Sequence, residues 1–375
     1  MTETDETTAG AAPGRPRPWW HWGQLMRGRL RPALAAAVAG ALLGGTGIAW
    51  QAQAGPFEQE SACWGSLSGD DVADLFEGED DIETSAVPTR DRYLAEGAGV
   101  CRLQTEGGPE ITARVHKLSG RFGGDRDAWA DEYLSARMTP LGGGLLGMAS
   151  DSRAWLAIPE SCVGRRTDSF TPTVIDMETG WTDYASRVDT GDRARLTSAL
   201  VTLVNSFLTQ QECDGQVKDP ADRLPAPARA TSEKPDAICG IEGLHLDGMR
   251  PLDELHQPLV TAGGGPVRTC DRDAVFEHPS LRLMTVEDPR LAALYTRLKY
   301  EGGPKVKVLD GGRGAGFLRD DFGFFQAECQ TGEVTFLIRA DGRDHAADIR
   351  MLLPRYVAAE ADRIGCGPLR IKMPA

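Results

Sequence analysis

The 375-residue chain carries 41 Lys and Arg against 55 Asp and Glu, a formal charge of −14, and 41% of its residues are hydrophobic. That apolar fraction excludes wholesale disorder. The acidic balance excludes a general nucleic-acid binder, which needs a basic face, so no nucleic-acid partner is expected.

In chain order, residues 1–31 come first, a cytoplasmic tail in which Arg15, Arg17, Arg27, Arg29 and Arg31 outnumber Glu3, Asp5 and Glu6. Pro32 to Trp50 then carries no charge across 19 residues. As a helix it rises about 1.5 Å per residue, about 28 Å in all, close to the roughly 30 Å hydrocarbon core of a bilayer. It lacks the polar stripe of a buried soluble helix. Residues 32–50 are therefore expected to be a transmembrane helix, with the lipid bilayer as partner. Arginine before the span and an acidic excess after it predict an N-terminus in the cytoplasm and everything after residue 54 outside it. Trp19, Trp20 and Trp22 before the span and Trp50 at its end suit the two interfaces. Ala52-Gln53-Ala54 has the small-x-small form of a signal-peptidase site. The apolar stretch and the tail before it are long for a signal peptide, so an uncleaved signal anchor is expected. No Leu-x-x-Cys closes the apolar run, which argues against lipid attachment at Cys63.

Residues 55–214 read as a first extracytoplasmic domain. Cys63-Trp64-Gly65 opens it ahead of a short helix or turn, and strands follow at Val100–Leu103 and at the alternating Ile111–Leu118. A helix is expected from Asp125 to Met138, and a strand near Arg153–Ile158 leads to Cys162. Leu196, Leu200, Leu203, Val204 and Phe207 then share one face of a helix that ends before Cys213. Residues 215–236, rich in Pro and charge without an apolar period, read as a linker. Residues 237–375 repeat the scheme as a second domain. Cys239-Gly240 opens it, with strands at Val267–Asp271 and Leu281–Val286. Asp288-Pro289 is an N-cap and N1 pair ahead of Leu291, Leu294, Tyr295 and Leu298. A strand at Gly323–Ala327 leads to Cys329, and a last helix precedes Cys366. Shifting the first apolar stripe by 153 residues lands on Ile349, Leu353, Tyr356 and Val357 and carries Cys213 onto Cys366. Phe207 lands on Glu360, a departure, and Pro354 is expected to kink or restart the helix. The fold class expected is α+β: one N-terminal transmembrane helix plus two similar small antiparallel-sheet-and-helix domains, related by duplication.

The eight cysteines all lie beyond the span, none in a C-x-x-C pair, so a zinc knuckle or thioredoxin-type site is not indicated. An even count outside the cytoplasm reads as disulfides. Spacings of 38, 61 and 51 in the first four and 31, 59 and 37 in the second support the duplication through their middle intervals. Pairing within a domain leaves three choices for each. The last Cys ends a helix lying on the sheet where the third Cys closes a strand, and such ends approach to the roughly 5.5 Å a bridge needs. This predicts Cys162–Cys213 and Cys329–Cys366, leaving Cys63–Cys101 and Cys239–Cys270. A crossed pairing such as Cys63–Cys213 is the rival, because domain termini often lie close together.

Catalytic signals are sparse. Gly142-Gly143-Gly144-Leu145-Leu146-Gly147 matches G-x-G-x-x-G but lacks a strand before and a helix after, so a flexible helix–strand loop is expected. Gly311 to Gly316 reads as a loop too, and no cofactor is expected. The six histidines form no H-E-x-x-H or H-x-H, so no metal site is expected. His116 shares a strand face with Thr112 and Arg114 and reads as a solvated side chain. Asp70, Asp71, Asp74, Glu77, Glu79, Asp80, Asp81 and Glu83 lack the alternating calcium-loop pattern and read as a solvated helix face and loop. No G-x-S-x-G elbow is present, and no catalytic residue is expected.

High Arg, a single Asn, one N-terminal span and tandem four-Cys domains together resemble actinobacterial single-pass membrane proteins with extracytoplasmic domains. More distantly, they are similar to the two-disulfide lipoprotein and sensor domains of that phylum. The resemblance covers residues 32–375 at the level of architecture and carries over no functional residue. It implies a membrane-anchored sensor, binding or interaction protein outside the cell, with an envelope ligand or a protein as partner. The alternative is a secreted or membrane-tethered hydrolase whose active site is dispersed along the sequence, since triads assemble across sequence distance.

Overall fold

The computed structural model describes residues 61–77, 81–88, 99–106, 109–118, 128–163, 171–179, 190–218, 220, 224, 226, 228–229, 234, 236–246, 257–273, 279–300, 303–309, 312–340 and 346–374. The tail 1–31, the expected transmembrane helix 32–50 and the Ala52-Gln53-Ala54 motif lie outside the described residues. No helix among the described residues is long and apolar enough to cross a membrane.

The first half opens with β1 (Ser61–Ala62) paired to β2 (Leu67–Ser68), the turn between them taking positive φ at Cys63, Trp64 and Gly65. Ser68 and Asp71 then form a capping box on α1 (Gly69–Leu75), with Ser68 N donating to Asp71 Oδ2 at 2.9 Å and Asp71 N to Ser68 Oγ at 3.2 Å. One carboxylate of the acidic run therefore starts a helix. A seven-stranded sheet follows in the order β3 (Ile82–Pro88), β4 (Gly99–Thr105), β5 (Glu110–Lys117), β9 (Thr173–Glu178), β8 (Arg153–Ala157), β7 (Gly147–Ala149), β6 (Thr139–Pro140), every pair antiparallel. From β5 the chain passes through α2 (Ala128–Tyr133) to the far edge at β6 and meanders back. The short α3 (Glu160–Val163) then delivers β9 into the sheet centre. α4 (Thr190–Gln210) closes the half, with Leu196, Leu200, Leu203, Val204 and Phe207 all buried against the sheet.

The second half holds a nine-stranded sheet: β10 (Ala228–Arg229), β11 (Leu259–Val260), β12 (Val267–Arg272), β13 (Leu281–Val286), β17 (Gly332–Ala340), β16 (Phe322–Cys329), β15 (Gly314–Leu318), β14 (Lys305–Val308), β18 (Ile371–Lys372). Its strands β11 to β14, in that spatial order, repeat the first sheet strand for strand, again all antiparallel; β10 and β18 are additions at the two edges. Asp288 caps α5 (Pro289–Ala292), its Oδ1 accepting from Arg290 N at 2.8 Å, and 3₁₀ turns continue from Ala293 to Tyr300. α6 (Ala346–Arg363) lies on the sheet as α4 does on the first. The class is α+β with antiparallel sheets.

Several local expectations are corrected. Of the helix expected over Asp125–Met138, residues 125–127 lie outside the described residues; α2 ends at Tyr133, because residues 134–138 turn the chain into β6. Gly142 to Gly147 therefore joins two strands, its three leading glycines all at positive φ. Gly314 to Gly316, expected in a loop, belongs to β15; a Cβ at Gly316 would sit 2.1 Å from Phe324 O, so only glycine lets the strands meet. α6 runs unbroken through Pro354, and the carbonyl its missing N–H would have bonded belongs to the exposed Arg350. Glu360 joins the buried stripe after all, its charge held by Arg268 at 2.5 Å and Arg363 at 2.8 Å. The described part of 215–236 is docked. Asn205 holds Val217 through two hydrogen bonds of 2.7 and 3.0 Å, Leu224 is buried in the first core, and β10 pairs with β11.

Four disulfides join Cys63–Cys101, Cys162–Cys213, Cys239–Cys270 and Cys329–Cys366, with Cα–Cα distances of 5.2, 5.3, 6.1 and 4.9 Å. This is the uncrossed pairing. Cys162 departs in one detail, lying on α3 after its strand has ended.

Each sheet buries one face beneath its long helix, giving two cores. The opposite faces build a third core shared by the halves. Leu118, Trp129, Leu134, Met148, Trp155 and Val174 meet it from the first half, and Val267, Met284, Val286, Tyr295, Phe324 and Leu337 from the second. α2 and the α5–3₁₀ segment fill the space between, with the Trp129 and Tyr295 ring centroids 5.5 Å apart.

Candidate functional site

On the shared side of the first sheet the alternation of β5, β9 and β8 brings Arg114 and His116, Asp176 and Glu178, and Arg153 onto one face. Apolar residues in those places would simply extend the core, but charged ones under a helix need partners. Asp176, fully buried, receives His116 Nε2 at 2.8 Å on Oδ1 and Arg153 Nη1 at 2.8 Å on Oδ2, where Tyr133 OH also donates at 3.1 Å. Arg153 continues to Glu178, which also holds Arg114, and approaches Glu132 at 3.4 Å. Its guanidinium lies 4.8 Å from the centre of the Tyr133 ring. Burial draws the pKa of Arg153 down, but attraction from Tyr133, Asp176, Glu178 and Glu132 outweighs it, so the net direction is up.

His116 thus corrects the solvated reading. The strand face it shares with Arg114 is polar as expected, but α2 covers that face, and the side chain is 15% exposed. Its other nitrogen, Nδ1, lies 2.7 Å from the carbonyl oxygen of Lys117. A Ser-His-Asp arrangement needs one ring nitrogen on the carboxylate and the other on the nucleophile. Here the second nitrogen faces backbone, and the hydroxyl that reaches the ring among the described residues is Tyr133, 3.2 Å from Nε2.

The register of the second sheet gives the matching positions. Ala113 faces Met177 as Leu283 faces Ile338, and Ala154 faces Met177 as Gly323 faces Ile338. Arg114, His116, Arg153 and Asp176 therefore correspond to Met284, Val286, Phe322 and Leu337. At these four positions the first half is charged and the second apolar, whereas Glu178 corresponds to the charged Arg339. Met284, Phe322 and Leu337, with Ala130 and Tyr295, floor a shallow cleft rimmed by Asp131, Arg282 and Arg339. Asp131 on α2 pairs with Arg282 and, at 3.0 Å, with Arg339. Arg282 also holds Asp271 at 2.5 Å, and Asp271 accepts Ala136 N at 2.8 Å.

α2 and the turn after it thus clasp both halves: Tyr133 to the first sheet, Asp131 and Ala136 to the second, and the Leu134 carbonyl to Thr269 Oγ1 at 2.6 Å. Among the described residues no group of three or more His, Cys, Asp or Glu is placed to hold a metal ion. Gly142 to Gly147 and Gly314 to Gly316 lie in a hairpin and a strand and are not brought into this region's hydrogen-bond network. The eight cysteines form the four bridges, away from the charged cluster. Compared with protein families, curated proteins and solved structures, the chain matches none.

Proposed function

We propose that the chain is a membrane-anchored extracytoplasmic binding, sensor or interaction protein without catalytic activity, built from two diverged copies of one α+β unit. The observation that carries the placement is the closing of all eight cysteines into four bridges, each within its own half. Such bonds persist outside the cytoplasm and are reduced within it. The matched strand order supports the duplication, and the exchange of Arg114, Arg153 and Asp176 for Met284, Phe322 and Leu337, which line a cleft in the second half, supports divergence toward a binding role. The residues 32–50 supply the anchor in this reading, with the bilayer as first partner and an envelope ligand or protein as second.

A reporter enzyme active only outside the cytoplasm, fused after Ala375, is expected to be active in cells. Activity from a reporter that works only in the cytoplasm would reverse the topology and remove the basis for the role. N-terminal sequencing distinguishes an anchor, whose leader is retained, from a chain cut after Ala54.

A further inference from the structure

We propose that β3 is an association edge whose occupant is the β3 of a second copy of this chain, paired antiparallel across a two-fold axis. Two open sheets have four edges. Among the described residues three of these, β6, β10 and β18, are strands of two residues each. The fourth, β3, runs for seven residues, and its pairing with β4 is one-to-one from Ile82↔Thr105 to Pro88↔Gly99, without a bulge. Short edges, bulges, charges and prolines are the devices that keep a sheet from adding strands. β3 carries one charge, Glu83, and a proline only at its last residue. The second half shows what such an edge takes. There the strand matching β3 is β11, cut to two residues and covered on its outer side by antiparallel β10. The same edge of the same unit is thus closed by an added strand in one half and, among the described residues, left open in the other. Glu83, Ser85 and Ala86 are exposed, in keeping with an uncovered edge.

β3 is complementary to itself. Its register with β4 puts Ile82, Thr84 and Ala86 on the side of Leu103 and Cys101, toward the first core, and Glu83 and Ser85 on the side of Gln104 and Arg102. A two-fold axis through Ser85, normal to the sheet, sets Thr84 of one copy opposite Ala86 of the other. Every pair then joins residues of the same face, so the two sheets continue as one with their α4 helices on the same side. Glu83 comes opposite Val87, and no like charges face each other within the strand pair. The contact is isologous and uses up both edges, so it closes as a dimer.

The axis supplies the test. Across it the two Ser85 Cα atoms lie about 4.5–5.5 Å apart, so like charges placed there repel. The full chain in mild detergent is compared with Ser85→Lys, Ser85→Glu, an equimolar mixture of these two, and Gln104→Lys, an exposed position one strand away. The protein mass is read by sedimentation over a range of concentrations. The unmodified chain and Gln104→Lys are expected to be dimers. Each Ser85 variant alone is expected to associate at least about fivefold more weakly at low salt, and mixing the two is expected to restore the dimer. Recovery on mixing separates a lost contact from a damaged fold. Should Ser85→Lys fail to fold, Ser85→Glu, which faces Arg102 on β4, is read against the unmodified chain alone. An unmodified chain that stays monomeric, Ser85 variants that dimerise as it does, or a loss that mixing does not repair overturns the proposal.

Discussion

Arg153 is fully buried and touches two carboxylates directly, Asp176 and Glu178, with a third at 3.4 Å. A guanidinium in that position is stabilised by its partners and in turn makes their ionisation tolerable. Arg153→Met keeps much of the length of the side chain and removes the charge, leaving the Asp176 carboxylate buried without its guanidinium. Breaking one side of a buried pair costs about 3–5 kcal/mol, whereas replacing both sides with apolar groups is often close to neutral. Arg153→Met is therefore expected to lower stability by that amount, read as a fall in the urea midpoint at constant slope. The double variant Arg153→Phe with Asp176→Leu, which copies Phe322 and Leu337 of the second half, is expected to recover part of it. Equal losses in the single and double variants would show that the cluster is not held by this pair.

At the scale of elements, the two bridges of each half differ in exposure. Cys63–Cys101 and Cys239–Cys270 are buried, at 1, 0, 2 and 4% exposure. Cys162–Cys213 and Cys329–Cys366 are only partly buried and tie the ends of α4 and α6 to α3 and β16. Exchange requires a thiolate to reach a sulfur, so access sets the order. A limiting thiol reductant is expected to open the two helix-end bridges first, read by alkylation and mass spectrometry; prior opening of Cys63–Cys101 would contradict it. The same elements explain what is legible in the sequence. β4, β5, β12 and β13 show through apolar spacing, and α4 and α6 through their stripes. β9 does not, because all six of its residues are buried and Asp176 and Glu178 interrupt the apolar run that would have marked it. The site is hidden for the same reason. Polarity places His116, Thr112 and Arg114 on one face, but only the path of α2 shows that this face is covered.

For the whole molecule, the third core decides how the halves behave. The sequence suggests two domains on a linker, and residues so arranged would unfold independently. In the structure, Trp129 packs on Tyr295, Asp131 holds Arg339, Thr269 bonds to the Leu134 carbonyl, and a Cβ at Gly265 would come within 2.1 Å of Pro140 Cγ. Separating the halves would expose Trp155, Met148, Val174, Phe317, Phe324 and Val286, all of them fully buried when joined. Burying a large apolar side chain contributes about 1.5–3 kcal/mol, so these six together are comparable with the whole stability of a typical domain, about 5–15 kcal/mol. Neither half can release its partner and keep that contribution. With disulfides intact, denaturant unfolding is therefore expected to give one transition, coincident by tryptophan fluorescence and far-ultraviolet circular dichroism. Trp129 belongs to the shared core and to neither of the other two, so Trp129→Ala probes the junction in the full chain. It is expected to lower that single midpoint without splitting it. Two resolved transitions in the unmodified chain would mean that the halves are stable separately and that the clasp formed by α2 is dispensable for folding.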